Sequence, residues 1–205
     1  MPGSSLRGLV AFIVVTAAEV LGLTAWLQLV HAGAPLLGFF ALIVGEAIEW
    51  SFLAFLIARS PVSFPLRHNG VPQALLRTGL IALSEAVLWV AWLAAIQTAG
   101  FVLATLAFFV LMHFKHGVDV AVFTGRSFWG DLLVPVGIVA TFFEIGGAAA
   151  WYQLTVYGEA VLGFLVLAVG ISVEHFLQFK AAGLLGAPRP ERADPPRPDA
   201  GTLAS

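Results

Sequence analysis

The chain contains no cysteine and only two methionines, and just 11% of its 205 residues are charged. Without cysteine there are no disulfides, no thiolate-held metal clusters and no sulfur-based copper site, and two methionines cannot replace them. An ordinary soluble domain carries about 25% charge, so polar surface is too scarce here to cover a globule in water. The net charge of −2 leaves no basic field, which excludes nucleic acid as a partner. What is present is apolar: 60% hydrophobic residues and a mean hydropathy of +0.94. The lipid bilayer is the expected solvent, and the chain reads as an integral, multi-pass membrane protein.

Apolar runs able to cross a hydrocarbon core of about 30 Å recur six times. They lie at roughly 8–31, 36–58, 76–98, 100–122, 132–153 and 160–182. The first, from about Leu9 to Val30, is longer than a signal-peptide core and has no small-residue cleavage site, so it is expected to be retained. The connectors after the first, third and fifth runs are short, His31 to Pro35, Gln97 to Gly100 and Gln153 to Glu159. Short connectors make antiparallel neighbours. The expected fold is therefore an all-α membrane domain over residues 1–186, with hairpins at about 8–58, 76–122 and 132–182.

Arginine placement predicts the orientation. Arg7 precedes the first run, Arg59, Arg67 and Arg77 flank the second connector, Arg126 sits in the fourth, and Lys180, Arg189, Arg192 and Arg197 follow the last run. The first, third and fifth connectors have no Lys or Arg. The positive-inside rule then puts both termini on the cytoplasmic face. Residues 187–205 are rich in proline with balanced charge and are expected to form a disordered cytoplasmic tail. The abundance of Ala, Leu, Gly and Val suggests a GC-rich bacterial genome, hence a bacterial cytoplasmic membrane.

Sliding the chain by about 125 residues without gaps aligns the first hairpin with the third. Thr16, Glu19, Gly22, Trp26 and Gln28 fall on Thr141, Glu144, Gly147, Trp151 and Gln153, and Gly38, Gly45 and Glu49 fall on Gly163, Gly170 and Glu174. In the middle hairpin Glu85 and Trp92 repeat the same Glu-x6-Trp spacing. Its second helix diverges, with Met112-His113 expected near the depth of Glu49-Trp50 and Glu174-His175. Three hairpins from one unit would share an orientation, with a pseudo-symmetry axis along the membrane normal.

A charge at a helix centre costs about 2.5–3.5 kcal/mol even on the lenient insertion scale. Such residues nevertheless recur in all six runs. Glu19, Glu85 and Glu144 lie near the middle of the odd helices; Glu46, Glu49, His113, His116, Glu174 and His175 lie in the even ones. Glu46 and Glu49, like His113 and His116, are three apart and share a helix face. These nine are the candidate metal or proton ligands, expected to converge on the pseudo-threefold axis. Glu19, Glu85 and Glu144 would form a central ring, extended towards the cytoplasm by the others. Lys115 and Asp119, four apart, are expected to pair locally. The tryptophans at the Glu-x6-Trp position read as interfacial belt residues, and Gly22, Gly45, Gly147 and Gly170 as close-packing positions.

Carboxylate and imidazole without thiolate suit protons and divalent Mn, Fe or Zn. The leading expectation is a transporter or channel for a small cation, proton or divalent metal. A membrane-embedded metal-dependent enzyme using the same ligands is the alternative, and a haem-binding or structural subunit with His113 and His175 as axial ligands a further one. No Glu-x-x-His pair of the di-iron bundles and no His-Glu-x-x-His of zinc proteases occurs. The signature residues of amide and urea channels, nickel/cobalt permeases and iron permeases with Arg-Glu-Gly-Leu-Glu are also missing. The chain is small for a transporter, which is compatible with a homo-oligomer.

Overall fold

The computed structural model describes residues 3–59, 70–124 and 135–181. The second and fourth connectors, with Arg67, His68 and Arg126, and the proline-rich segment 187–205 lie outside the described residues. Among the described residues the chain forms six helices: α1 (Gly3–His31), α2 (Pro35–Arg59), α3 (Gly70–Ala99), α4 (Phe101–Thr124), α5 (Pro135–Val156) and α6 (Ala160–Ala181). Five of them are long and apolar enough to cross a membrane. The exception is α5, whose apolar residues are diluted by Pro135, Glu144, three glycines, Tyr152 and Gln153.

Helix ends follow local chemistry. Pro35 and Pro135 open α2 and α5, where the missing N–H is not needed and φ is already helical. Gly33, Gly100 and Gly158 stand just past α1, α3 and α5 with φ of 79°, 81° and 89°, a conformation that penalises any Cβ. The outer turns use the same bonds 125 residues apart. Ala34 N donates to Leu29 O at 2.8 Å as Glu159 N does to Leu154 O at 2.8 Å, and Gly33 N to Val30 O at 3.1 Å as Gly158 N does to Thr155 O at 3.1 Å.

Every helix packs against its neighbours in the chain, and α1 also packs against α6, so the bundle closes into a ring. In the outer hairpins the helices meet glycine to glycine. A Cβ added to Gly45 would come within 2.9 Å of Gly22 Cα, and one on Gly170 within 3.0 Å of Gly147 Cα. These are the close-packing glycines read from the sequence.

The ring is inside-out relative to a soluble bundle. Leu9, Ile13, Phe40, Val87, Val102, Phe142, Leu165 and Val169 are exposed, while Glu19, Glu46, Glu49, Glu85, Glu144 and Glu174 are buried. An apolar outside this extensive fits hydrocarbon, not water. Inside, an apolar core on the side of the short turns contains Leu23, Trp26, Trp89, Trp92, Phe108, Trp151 and Leu167. A smaller one, at the opposite end of the helices, contains Ala11, Val15, Leu53 and Phe179. The ionisable residues lie between the two.

One expectation is corrected here. Trp26, Trp92 and Trp151 are not interfacial belt residues; all three are buried in the larger core. Each lies seven residues after an inward-facing glutamate, two helical turns along the same face, so burying the glutamate turns the indole inward as well.

Candidate cation site

The odd helices contribute Glu19, Glu85 and Glu144, each with the apolar core one turn further on. The even helices contribute one position that recurs as Trp50, His116 and His175. Each of these side chains faces the glutamate of the following odd helix around the ring. Trp50 Nε1 donates to Glu85 Oε2 at 2.9 Å, His116 Nε2 stands 3.6 Å from Glu144 Oε2, and His175 Nε2 stands 3.3 Å from Glu19 Oε2. The imidazoles are steadied from behind by hydroxyls. His116 Nδ1 is 3.2 Å from Thr141 Oγ1, and His175 Nδ1 is 3.0 Å from Thr16 Oγ1.

This geometry corrects the register expected for the middle hairpin. The residues at the depth of Glu49-Trp50 and Glu174-His175 are Lys115-His116, one turn beyond Met112-His113. The cause is the turn. Ala104 N bonds Gly100 O as Gly38 N bonds Ala34 O and Gly163 N bonds Glu159 O, so Gly100 opens α4 as Ala34 and Glu159 open α2 and α6. His113 is instead half-buried, its ring stacked on Phe109 with centroids 6.3 Å apart.

Lys115 therefore occupies the position that Glu49 and Glu174 hold in the outer hairpins. It is buried, donates to Glu85 and lies 2.7 Å from Asp119. The i,i+4 pair with Asp119 was legible in the sequence; the reach across to α3 was not. The aliphatic stem and ammonium also pass over the Trp50 ring, with Nζ 4.8 Å from its centroid. At the matching place in α6, Gln178 Nε2 donates to Glu174 Oε1 at 2.7 Å.

Among the described residues three groups could hold a metal ion: Glu19 with Glu174 and His175, Glu85 with His116 and Glu144, and Glu19 with Glu46 and Glu49. Glu19, Glu85 and Glu144 together are not one of these groups. Glu85 and Glu144 share His116, while Glu19 belongs with α2 and α6. The halves touch where His116 Nε2 lies 3.9 Å from Glu174 Oε1. His113 belongs to none of the groups.

Charge makes the cluster reactive. Among the described residues seven buried carboxyls (Glu19, Glu46, Glu49, Glu85, Asp119, Glu144 and Glu174) accompany one buried lysine. An unpaired charge in a dry interior costs several kcal/mol, so the excess must be balanced by protons, by an exogenous cation or by both. No family model matches the chain, and no curated protein or solved structure matches it either. The chemistry of the site thus rests on these residues.

Proposed function

We propose that the chain is a six-span protein of the bacterial cytoplasmic membrane that transports a small cation, a proton or a divalent metal ion, through its buried Glu/His cluster. The observation that carries this reading is the excess, among the described residues, of seven buried carboxyls over one buried lysine. Groups so placed bind and release cations as a condition of being buried at all. Protons can pass among side chains this close, since His116 and His175 each stand within 4.0 Å of two carboxylates.

The same reading takes the three hairpins as repeats of one unit, with both termini cytoplasmic. It is supported by turns and glycine contacts that recur 125 residues apart. The Trp50–Glu85, His116–Glu144 and His175–Glu19 contacts, each from an even helix to the next odd one, support it further. Arginines confined to one side support the orientation.

The test is reconstitution into liposomes loaded with a pH-sensitive or metal-sensitive dye. Wild type is expected to pass protons or a divalent metal down an imposed gradient, and Glu19→Gln and Glu144→Gln to fall to the rate of empty liposomes. A rate in wild type equal to that of empty liposomes would sink the transport reading.

The second reading is a membrane-embedded metalloenzyme. It is favoured by the apolar layers on both sides of the cluster, which suit a resident ion better than a passing one. Metal retained through purification, without flux, would select it. A haem between two histidines has less support, because both ring nitrogens of His175 already face Thr16, Glu19 and Glu49.

A further inference from the structure

Unmade acceptors among the described carboxylates concentrate on Glu144 and on the first hairpin. Glu46 is fully buried, and neither of its oxygens has a hydrogen-bond partner. Glu49 Oε2 and Glu19 Oε2 also lack one. A buried acceptor left unmade costs about 1–3 kcal/mol, and more if charged. Lys115 makes no direct ion pair with them; its ion pairs are with Glu85 and Asp119.

Ligand oxygens of Glu19, Glu46 and Glu49 lie within 4.8 Å of one another. His175 borders the same space, with Nε2 3.3 Å from Glu19 Oε2 and 3.3 Å from Glu49 Oε1. Charge-assisted hydrogen bonds are shorter, about 2.7–2.9 Å. Around a tetrahedral ion with bonds of about 2.0–2.1 Å, ligand atoms stand about 3.3 Å apart. The spacing at His175 also fits ligands sharing an ion. Thr16 at Nδ1 supplies the outer contact that metal-bound imidazoles require.

Among the described residues only the first hairpin has a glutamate at the Glu46 position. Residues at the Glu46 position in α4 and α6 are Met112 and Ile171. In the other half of the cluster, Glu85 is engaged by both Lys115 and Trp50. The fixed cation thus sits with Glu85 and Asp119, and it makes no ion pair with Glu19, Glu46 or Glu49.

We propose that Glu19, Glu46, Glu49 and His175 bind one divalent transition-metal ion as the cargo of the buried cluster. Three carboxylate oxygens and one imidazole nitrogen suit zinc, iron(II) or manganese(II); they are too hard for copper(I), and the imidazole disfavours magnesium and calcium. The inference rests on the cation reading above but can fail separately, since a chain that moves protons and binds no metal keeps that reading and loses this one.

The experiment is equilibrium binding to the full chain in detergent. Protein stripped with chelator is titrated with Zn²⁺ and, separately, Mn²⁺, with bound metal read by elemental analysis after desalting. Fold is checked by circular dichroism and elution volume. The expected result is one metal per chain, weakened at least about 100-fold by Glu46→Gln and by His175→Gln and unchanged in His31→Gln, at the exposed end of α1. Glu49→Gln stands in if either ligand variant fails to elute as folded protein. No binding by wild type, or binding lost in His116→Gln but kept in Glu46→Gln, would overturn the assignment.

Discussion

Trp50 Nε1 donates to Glu85 Oε2 at 2.9 Å, doing for the middle glutamate what His116 and His175 do for Glu144 and Glu19. The three contacts run from an even helix to the next odd helix around the ring. They differ in one respect: an indole can only donate, whereas an imidazole can also accept a proton or ligate a metal. Glu85 is thus the one glutamate of the three held by two fixed donors, Trp50 and Lys115. Its role reads as anchoring.

Removing the indole donor should expose that role. Trp50→Phe keeps an aromatic ring but leaves Glu85 with Lys115 alone. A hydrogen bond to a charged group contributes about 1.5–3 kcal/mol, so stability in detergent should fall by an amount of that order, seen as a lower thermal midpoint. Metal binding should be unaffected. A midpoint equal to wild type would show that Lys115 alone satisfies Glu85.

Lys115 supports a larger effect. Its ammonium balances Glu85 and Asp119, and all three residues are buried. Breaking such a pair from one side costs about 3–5 kcal/mol, because a buried charge is left uncompensated. Lys115→Met should therefore destabilise severely, while Lys115→Met with Glu85→Gln should recover part of the loss, since the two residues share one interaction. Denaturation midpoints of the two singles and the double complete the cycle, and additive losses would contradict the pairing.

Much of this bundle was legible because a membrane allows so few polar groups. Each inward glutamate announced itself by rarity, and spacings of three or four placed Glu46 beside Glu49 and Lys115 beside Asp119. Register across the middle turn was not legible. Whether Gly100 corresponds to Ala34 or to Gly38 shifts α4 by about one turn, and composition does not choose between them; only the Ala104–Gly100 hydrogen bond does. That shift hid the lysine at the Glu49 position. The buried tryptophans were misread for another reason: aromatic belts are a statistical expectation, and the shared face with Glu19, Glu85 and Glu144 was the stronger, geometric signal.

The glycine contacts separate backbone approach from mere helix content. A Cβ on Gly170 would come within 2.6 Å of Phe143 O, whereas one on Gly146 meets nothing within 4 Å. Gly170→Ala should push α6 from α5 and cost about 1–3 kcal/mol, the usual price of overpacking. Gly146→Ala should leave the thermal midpoint unchanged or raised, because alanine is the better helix former. Equal effects of the two substitutions would deny the close approach.

The hydroxyls behind the imidazoles offer a finer probe of where the metal sits. Thr141 Oγ1 donates to Gly137 O at 3.1 Å, so its oxygen accepts from His116 Nδ1–H. The Nε2 of a neutral His116 then presents its lone pair to Glu144 and Glu174. Thr16 stands in the same place behind His175, at 3.0 Å. Valine in place of threonine keeps the shape and removes the oxygen, freeing the ring to rotate or change tautomer. Loss of an outer partner typically weakens metal affinity by about 10–100-fold, and that is the expectation for Thr16→Val in chelator competition. Thr141→Val, behind the histidine of the other group, should stay within about twofold of wild type, the scatter of independent sites. The metal is assigned next to His175, so the asymmetry between these two substitutions is the decisive reading: equal weakening by both would place the ion between the two imidazoles, and weakening by Thr141→Val alone would move it to Glu85, His116 and Glu144.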